Sequence, residues 1–97
     1  MIPHTETAGV ALKDAARVLI LLHGRGSSAG TMLGLATRLG VADFAHIAVQ
    51  AEGSTWYPYS FLAPRSQNEP SLSRSLGRVR GVVQALLAMG FAEDQLY

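Results

Sequence analysis

The chain has no cysteine among its 97 residues, and neither sign of charge is in clear excess. The missing thiol excludes disulfides, thiolate nucleophiles and cysteine-based metal sites. Eight basic and seven acidic residues leave a formal net charge of +1. Such a balance gives no reason to expect a nucleic acid or an acidic molecule as a partner.

Long hydrophobic runs and leader-like segments are also lacking. No apolar run approaches the roughly 20 residues that span a bilayer. Residues 1–7 do not place a basic segment before an apolar one, which argues against a signal peptide. We therefore expect a cytoplasmic protein with no membrane span.

What is present is an apolar chain of modest length. Hydrophobic residues make up 48% of the sequence, so we expect an ordered core. A length of 97 residues suits one small domain or part of a larger one.

Residues 17–30 predict a buried strand, a glycine-rich turn and the start of a helix. The strand, Val18 to Leu22, is apolar at every position and therefore belongs inside a parallel sheet. Gly24 and Gly26 permit a tight turn after it, and Ser27 or Ser28 can cap the following helix. Ligands of open α/β sheets collect at such carboxyl ends of strands, so we expect the functional site here.

The flanking segments extend this unit. Apolar residues from Met32 to Leu39 follow the helical period, and Gly40 supplies a stop. Residues 45–49 predict a second buried strand, which completes a right-handed βαβ unit. Residues 1–16 predict a short hairpin or an edge strand, with a turn at Gly9.

The second half of the chain begins with a long connection. Residues 50–70 predict a loop without regular structure, and loops of that length are often functional. A long helix from Ser71 to Met89 follows, with Arg74 and Arg78 on its solvent-facing side and Gly90 as its C-terminal cap. Leu96 begins another strand, so we expect residues 1–97 to be the N-terminal portion of a larger, mostly parallel α/β domain.

Three interpretations compete for residues 23–30. In the first, His23-Gly24-Arg25-Gly26 matches the His-Gly-x-Gly loop of α/β-hydrolases, whose backbone N–H groups stabilise an acyl-transfer oxyanion. Backbone donors explain the glycines, because the chain must come close to the substrate. In this interpretation His23 orients the turn through its ring nitrogens.

Two other motifs fit the same residues less well. Gly-x-Ser-x-Gly would make Ser28 a nucleophile, but its only downstream partners, Asp43 and His46, lie at the entry to the next strand. Gly24-x-Gly26-x-x-Ala29 fits a short dinucleotide-binding pattern, but no acidic residue ends the next strand. Two non-enzyme alternatives remain. One is a nucleotide-binding βαβ module, and the other is a non-catalytic fragment that pairs its sheet edge with a partner chain.

Three blocks, in order, resemble the phospholipase/carboxylesterase family of α/β-hydrolases, which includes bacterial carboxylesterases and acyl-protein thioesterases. They are LLHGRGSSA at 21–29, TWYPYSFLAP at 55–64 and NEPSLS at 68–73. The resemblance implies a mostly parallel sheet flanked by helices, and serine-dependent hydrolysis of a small-molecule ester. It implies no metal and no organic cofactor.

The resemblance also assigns site residues. It implies that the backbone N–H of Arg25 is one oxyanion donor, within a substrate-binding turn formed with His23, Gly24 and Gly26. Trp56 and Tyr57 would wall the acyl pocket, although Trp56 alternatively serves as an apolar staple for the loop. Pro58 stands where many members have Asp, so no polar role is carried to it.

The family's nucleophile follows the strand that here begins at Leu96, and its Asp and His come later still. The resemblance thus implies that residues 1–97 form the N-terminal portion of a single α/β-hydrolase domain, truncated before the nucleophile strand and without a catalytic triad. Made alone, the chain is expected to be inactive and to self-associate through an open sheet edge.

Overall fold

Three strands form a mixed sheet in the computed structural model, which describes residues 2–97. They are β1 (Thr5–Gly9), β2 (Val18–Leu22) and β3 (Ala45–Val49), in the order β1-β3-β2. β2 and β3 are parallel, with Val18 opposite Ala45 and Leu22 opposite Val49, whereas β1 is antiparallel to β3. The parallel β2–β3 pair confirms the prediction from the two apolar runs, and β1 is an edge strand rather than half of a hairpin.

The free edge of β2 carries the start of a further strand. Val18 forms a parallel bridge with Leu96, and the Ile20 N–H donates to the carbonyl of Tyr97 at 2.7 Å. This pairing confirms the expectation that β2 has neighbours on both edges.

The helices differ from the predicted bounds at two places. They are α1 (Ala29–Ala36), α2 (Arg65–Asn68) and α3 (Ser71–Ala88), and short 3₁₀ turns occupy Leu12–Asp14, Glu52–Ser54 and Glu93–Gln95. α1 ends before Leu39 because the Thr37 hydroxyl donates to the Gly34 carbonyl at 2.7 Å and the chain tightens into i→i−3 bonds. The connection 50–70 was predicted to lack regular structure, which is wrong for the residues of α2 and of the 3₁₀ turn at Glu52–Ser54.

The core lies on both faces of β3, which is buried at every position. On one face, Val82 and Leu86 of α3 pack with Val18 and Ile47. On the other, the small side chains Ala29 and Ala36 let α1 approach Leu21 and Ala48. These two layers hold α1 and α3 against the sheet. They thereby set the position of both helices relative to the carboxyl ends of β2 and β3.

None of the helices in the described part of the chain is long and apolar enough to cross a membrane.

Candidate functional site

The glycine-rich turn after β2 has the geometry of a type II β-turn. The Ser27 N–H donates to the Gly24 carbonyl at 3.0 Å, and Gly26 has φ +78°, close to the value that this turn requires at its third position. The Gly26 N–H donates to the carbonyl of Ser54 at 2.8 Å. A glycine is needed at position 26 because other residues rarely adopt this φ.

His23 is buried and both of its ring nitrogens are engaged. The Ala51 N–H donates to Nε2 at 3.0 Å, and Nδ1 lies 2.7 Å from the Gly24 carbonyl. Because Nε2 accepts, the proton is assigned to Nδ1, which donates to that carbonyl. The imidazole thus bridges the turn and the segment after β3.

The Trp56 side chain packs against the ring of His23. The two rings stack with centroids 4.9 Å apart and planes at 28°, and the indole N–H donates to the His23 carbonyl at 2.7 Å. Trp56 also packs against the apolar core under α3. Trp56 thus packs as the staple interpretation requires, and its contact with an acyl group stays a prediction.

The backbone N–H and the side chain of Arg25 lie in different environments. Its N–H donates to no atom of residues 2–97. Its guanidinium donates to the Tyr59 carbonyl at 2.8 Å and lies 3.5 Å from the Pro58 carbonyl. The same group stands 5.3 Å from the centre of the Tyr57 ring.

The first turn of α1 is occupied by protein groups. The Ser28 hydroxyl accepts the Thr31 N–H at 3.2 Å and is the N-cap, which selects one of the two serines that the sequence offered. The Ala29 N–H donates to Oε1 of Gln50 at 2.9 Å. These bonds satisfy backbone donors that a bound phosphate would otherwise use.

An open cleft of about 510 Å³ borders the turn. Arg25 and Pro58 line it together with Thr55, Ser71 and Ser75. Tyr57 instead lines a neighbouring hollow with Phe61 and Leu72. The structure thus brings His23, Gly24, Arg25, Gly26 and Trp56 together at the end of β2, and Tyr57 reaches them through the Arg25 guanidinium.

The residues of the nucleophile-elbow motif are not brought together. His46 is buried beside Leu19, near the amino end of the parallel pair, where its Nε2 lies 2.8 Å from the Val41 carbonyl. Asp43 forms an ion pair with Arg17. Ser28 follows the opposite end of β2, so a Ser28–His46 hydrogen bond is absent from the described residues.

Sequence reasoning missed three residues that organise the site. Gln50 caps α1 as described, and buried Asn68 accepts the Tyr59 N–H at 2.7 Å and donates to the Ser60 carbonyl at 3.2 Å. Arg78 was predicted to face solvent, which is wrong: it is half-buried and donates to the Gln50 carbonyl at 2.7 Å. A polar residue directly after a buried strand was the signal for Gln50, whereas Asn68 and Arg78 bind backbone atoms and leave no pattern.

Charge at the site comes mainly from arginines. Arg74 pairs with Glu52 at 3.6 Å across the cleft. The Ser73 hydroxyl, with help from the Ser73 N–H and from Arg65, lowers the pKa of the Glu69 carboxyl below its ordinary value.

Within residues 2–97, no group of three or more His, Asp or Glu side chains is placed to hold a metal ion.

Comparison with known proteins finds a similar solved structure. No family model matches the sequence, and no curated protein matches it significantly. The structure matches the crystal structure of a phospholipase/carboxylesterase from Dyadobacter fermentans DSM 18053 with a TM-score of 0.93 and 38% sequence identity. The match covers 97% of this chain and 45% of that one, so the chain spans less than half of that protein's length. The three sequence blocks and this match agree: the chain resembles the phospholipase/carboxylesterases, and its mixed sheet with flanking helices is part of an α/β-hydrolase fold.

Proposed function

We propose that residues 1–97 supply the oxyanion-binding turn and part of the substrate wall of a serine-dependent carboxylic ester hydrolase. The observation that carries the proposal is the Arg25 N–H, which has no acceptor among residues 2–97 although it stands in a hydrogen-bonded turn at the carboxyl end of β2. Backbone N–H groups of this kind stabilise negative charge that develops on a carbonyl oxygen.

The chemistry follows from that donor. A serine outside residues 1–97 attacks the ester carbonyl, a histidine accepts the serine proton, and the carbonyl oxygen becomes an oxyanion held by the Arg25 N–H. A second donor comes from the residue after the nucleophile. Collapse of the intermediate expels the alcohol, which takes the proton from the histidine, and water then hydrolyses the acyl-enzyme.

His23 and Trp56 contribute by fixing the turn. The His23 ring bonds to the Ala51 N–H and the Gly24 carbonyl, and the Trp56 indole bonds to the His23 carbonyl. A donor held in place before the reaction costs no reorganisation when charge develops. The nucleotide-binding alternative is less well supported, because Gln50 and Ser28 already occupy the first turn of α1.

A matched pair of variants tests the role of the Arg25 N–H in the complete protein, meaning this chain with the residues that supply serine, aspartate and histidine. Arg25→Ala and Arg25→Pro both remove the guanidinium, but only Arg25→Pro removes the N–H. Proline is favoured at the second position of a type II turn, so the turn itself is expected to persist.

For a small p-nitrophenyl ester, we expect Arg25→Ala to retain most of the turnover number and Arg25→Pro to lose roughly 10²–10³ of it. Equal losses in the two variants would show that the side chain, and not the N–H, is the active part.

A further inference from the structure

The loop beside the turn is fixed at several points, and two successive carbonyls within it depend on a single side chain. Trp56 is anchored through its indole N–H and through its carbonyl, which accepts the Ser75 hydroxyl. Asn68 anchors the Tyr59 N–H and the Ser60 carbonyl. Between these anchors, the carbonyls of Pro58 and Tyr59 bind only the Arg25 guanidinium among the described residues.

The guanidinium is well suited to this task. It carries five N–H donors in a planar fork, so one group reaches two successive carbonyls. Its position near the Tyr57 ring adds a cation–π contact. No carboxylate of residues 2–97 forms an ion pair with it, so these contacts are its main partners.

The same contacts set the shape of the cleft. Arg25 and Pro58 both line it, so the guanidinium holds the Pro58 wall against the turn that carries the oxyanion donor. We propose that the Arg25 side chain is a positioning residue that fixes residues 57–59 and thereby limits the size of the ester group that the cleft accepts. The kinetic part of this inference rests on the proposed function, and the structural part does not.

Chymotrypsin provides a direct test, because the Tyr59 carbonyl that accepts from Arg25 belongs to a bond that this protease can cleave. The neighbouring Phe61–Leu62 bond is an internal reference, since Phe61 is 79% exposed and its carbonyl has no contact with Arg25. In the complete protein, Arg25→Met should raise cleavage at Tyr59–Ser60 relative to Phe61–Leu62 by roughly tenfold. Arg25→Lys, with a single ammonium, should give an intermediate ratio, and Arg80→Met, at an exposed site on α3, should match the wild type.

An unchanged cleavage ratio in Arg25→Met would overturn the proposal. If that variant does not fold, the ratio in Arg25→Lys decides, and a wild-type value there overturns it equally. Kinetics supply the second readout: Arg25→Met should change KM for a bulky acyl ester several-fold more than KM for an acetate ester. A raised cleavage ratio without any ester hydrolysis would contradict the proposed function but support the positioning role of the Arg25 side chain. Normal hydrolysis with equal KM changes for both esters would contradict that positioning role alone.

Discussion

At the scale of single residues, the sequence makes a prediction for the backbone of Arg25, which remains untested, and none for its side chain. The His-Gly-x-Gly pattern pointed to its backbone, because glycines flank positions where the main chain approaches a ligand. Nothing pointed to its side chain, whose partners are the carbonyls of Pro58 and Tyr59. Every residue has a carbonyl, so a contact of this kind leaves no mark on either sequence segment.

His23 likewise has a role that the sequence predicts and hydrogen-bond partners that it does not. Its place after an apolar strand and before a glycine suggested a ring that orients the turn. Its partners, the Ala51 N–H and the Gly24 carbonyl, are again backbone groups. The role was predictable from the residue type and position, and the partner 28 residues away was not.

The cap of α1 gives a prediction at this scale. Ser28 accepts the Thr31 N–H, so Ser28→Ala should lower the free energy of unfolding of the complete protein by about 1 kcal/mol. Thermal or urea unfolding measures this loss. Ser27→Ala is the matched control, since the Ser27 hydroxyl has no hydrogen-bond partner in the described part of the chain.

Hydrolysis should be largely unchanged in Ser28→Ala, because a cap has no part in the reaction. Covalent labelling of Ser28 by a fluorophosphonate would instead revive it as a nucleophile and contradict the cap interpretation.

At the scale of elements, the prediction succeeded where burial sets the pattern. β2, β3 and α3 were found within one or two residues, because a strand buried on both faces and a helix with one apolar face have distinct periods. α1 was predicted too long, since Leu39 continues the helical period although the chain has already tightened at Thr37. α2 was missed because four residues are too few to show a period.

The start of α3 provides a pH-dependent prediction. The Glu69 carboxylate accepts the Ser73 hydroxyl at 2.8 Å and the Ser73 N–H at 3.2 Å, and these bonds lower its pKa in the folded state. A lowered folded-state pKa means that the contribution to stability is complete above the unfolded-state pKa and is lost as pH falls through the folded-state value.

We therefore expect Glu69→Gln to reduce the melting temperature slightly near neutral pH and to leave it unchanged in acid below the range where the carboxylate titrates. Differential scanning calorimetry at several pH values measures this. A difference that persists undiminished in acid would show that the charge of Glu69 is not what stabilises the helix start.

At the scale of the whole molecule, the sheet edge at β2 is the dominant feature. Leu96 and Tyr97 pair with β2 only as far as Ile20, while Leu22, at the end of the strand, is 47% exposed. An apolar strand with free backbone groups is a template for pairing with another chain. We therefore expect residues 1–97, made alone, to form aggregates or strand-paired oligomers.

The same reasoning links completeness to activity. In the proposed function, residues 1–97 contribute one oxyanion donor and one wall of the cleft, and the serine, aspartate and histidine lie elsewhere. An oxyanion hole without a nucleophile keeps only a small residual part of the catalysis, so we expect a fragment with one donor and no nucleophile to show negligible hydrolysis.

Hydrolysis of p-nitrophenyl esters, measured side by side for residues 1–97 and for the complete protein, is the most direct test of this account. We expect no turnover by residues 1–97 at any concentration. We expect steady-state hydrolysis by the complete protein that is abolished by a serine-directed fluorophosphonate. A burst of ester cleavage by residues 1–97, or no hydrolysis by a folded complete protein, would contradict the assignment of the turn after β2 as half of an esterase oxyanion hole.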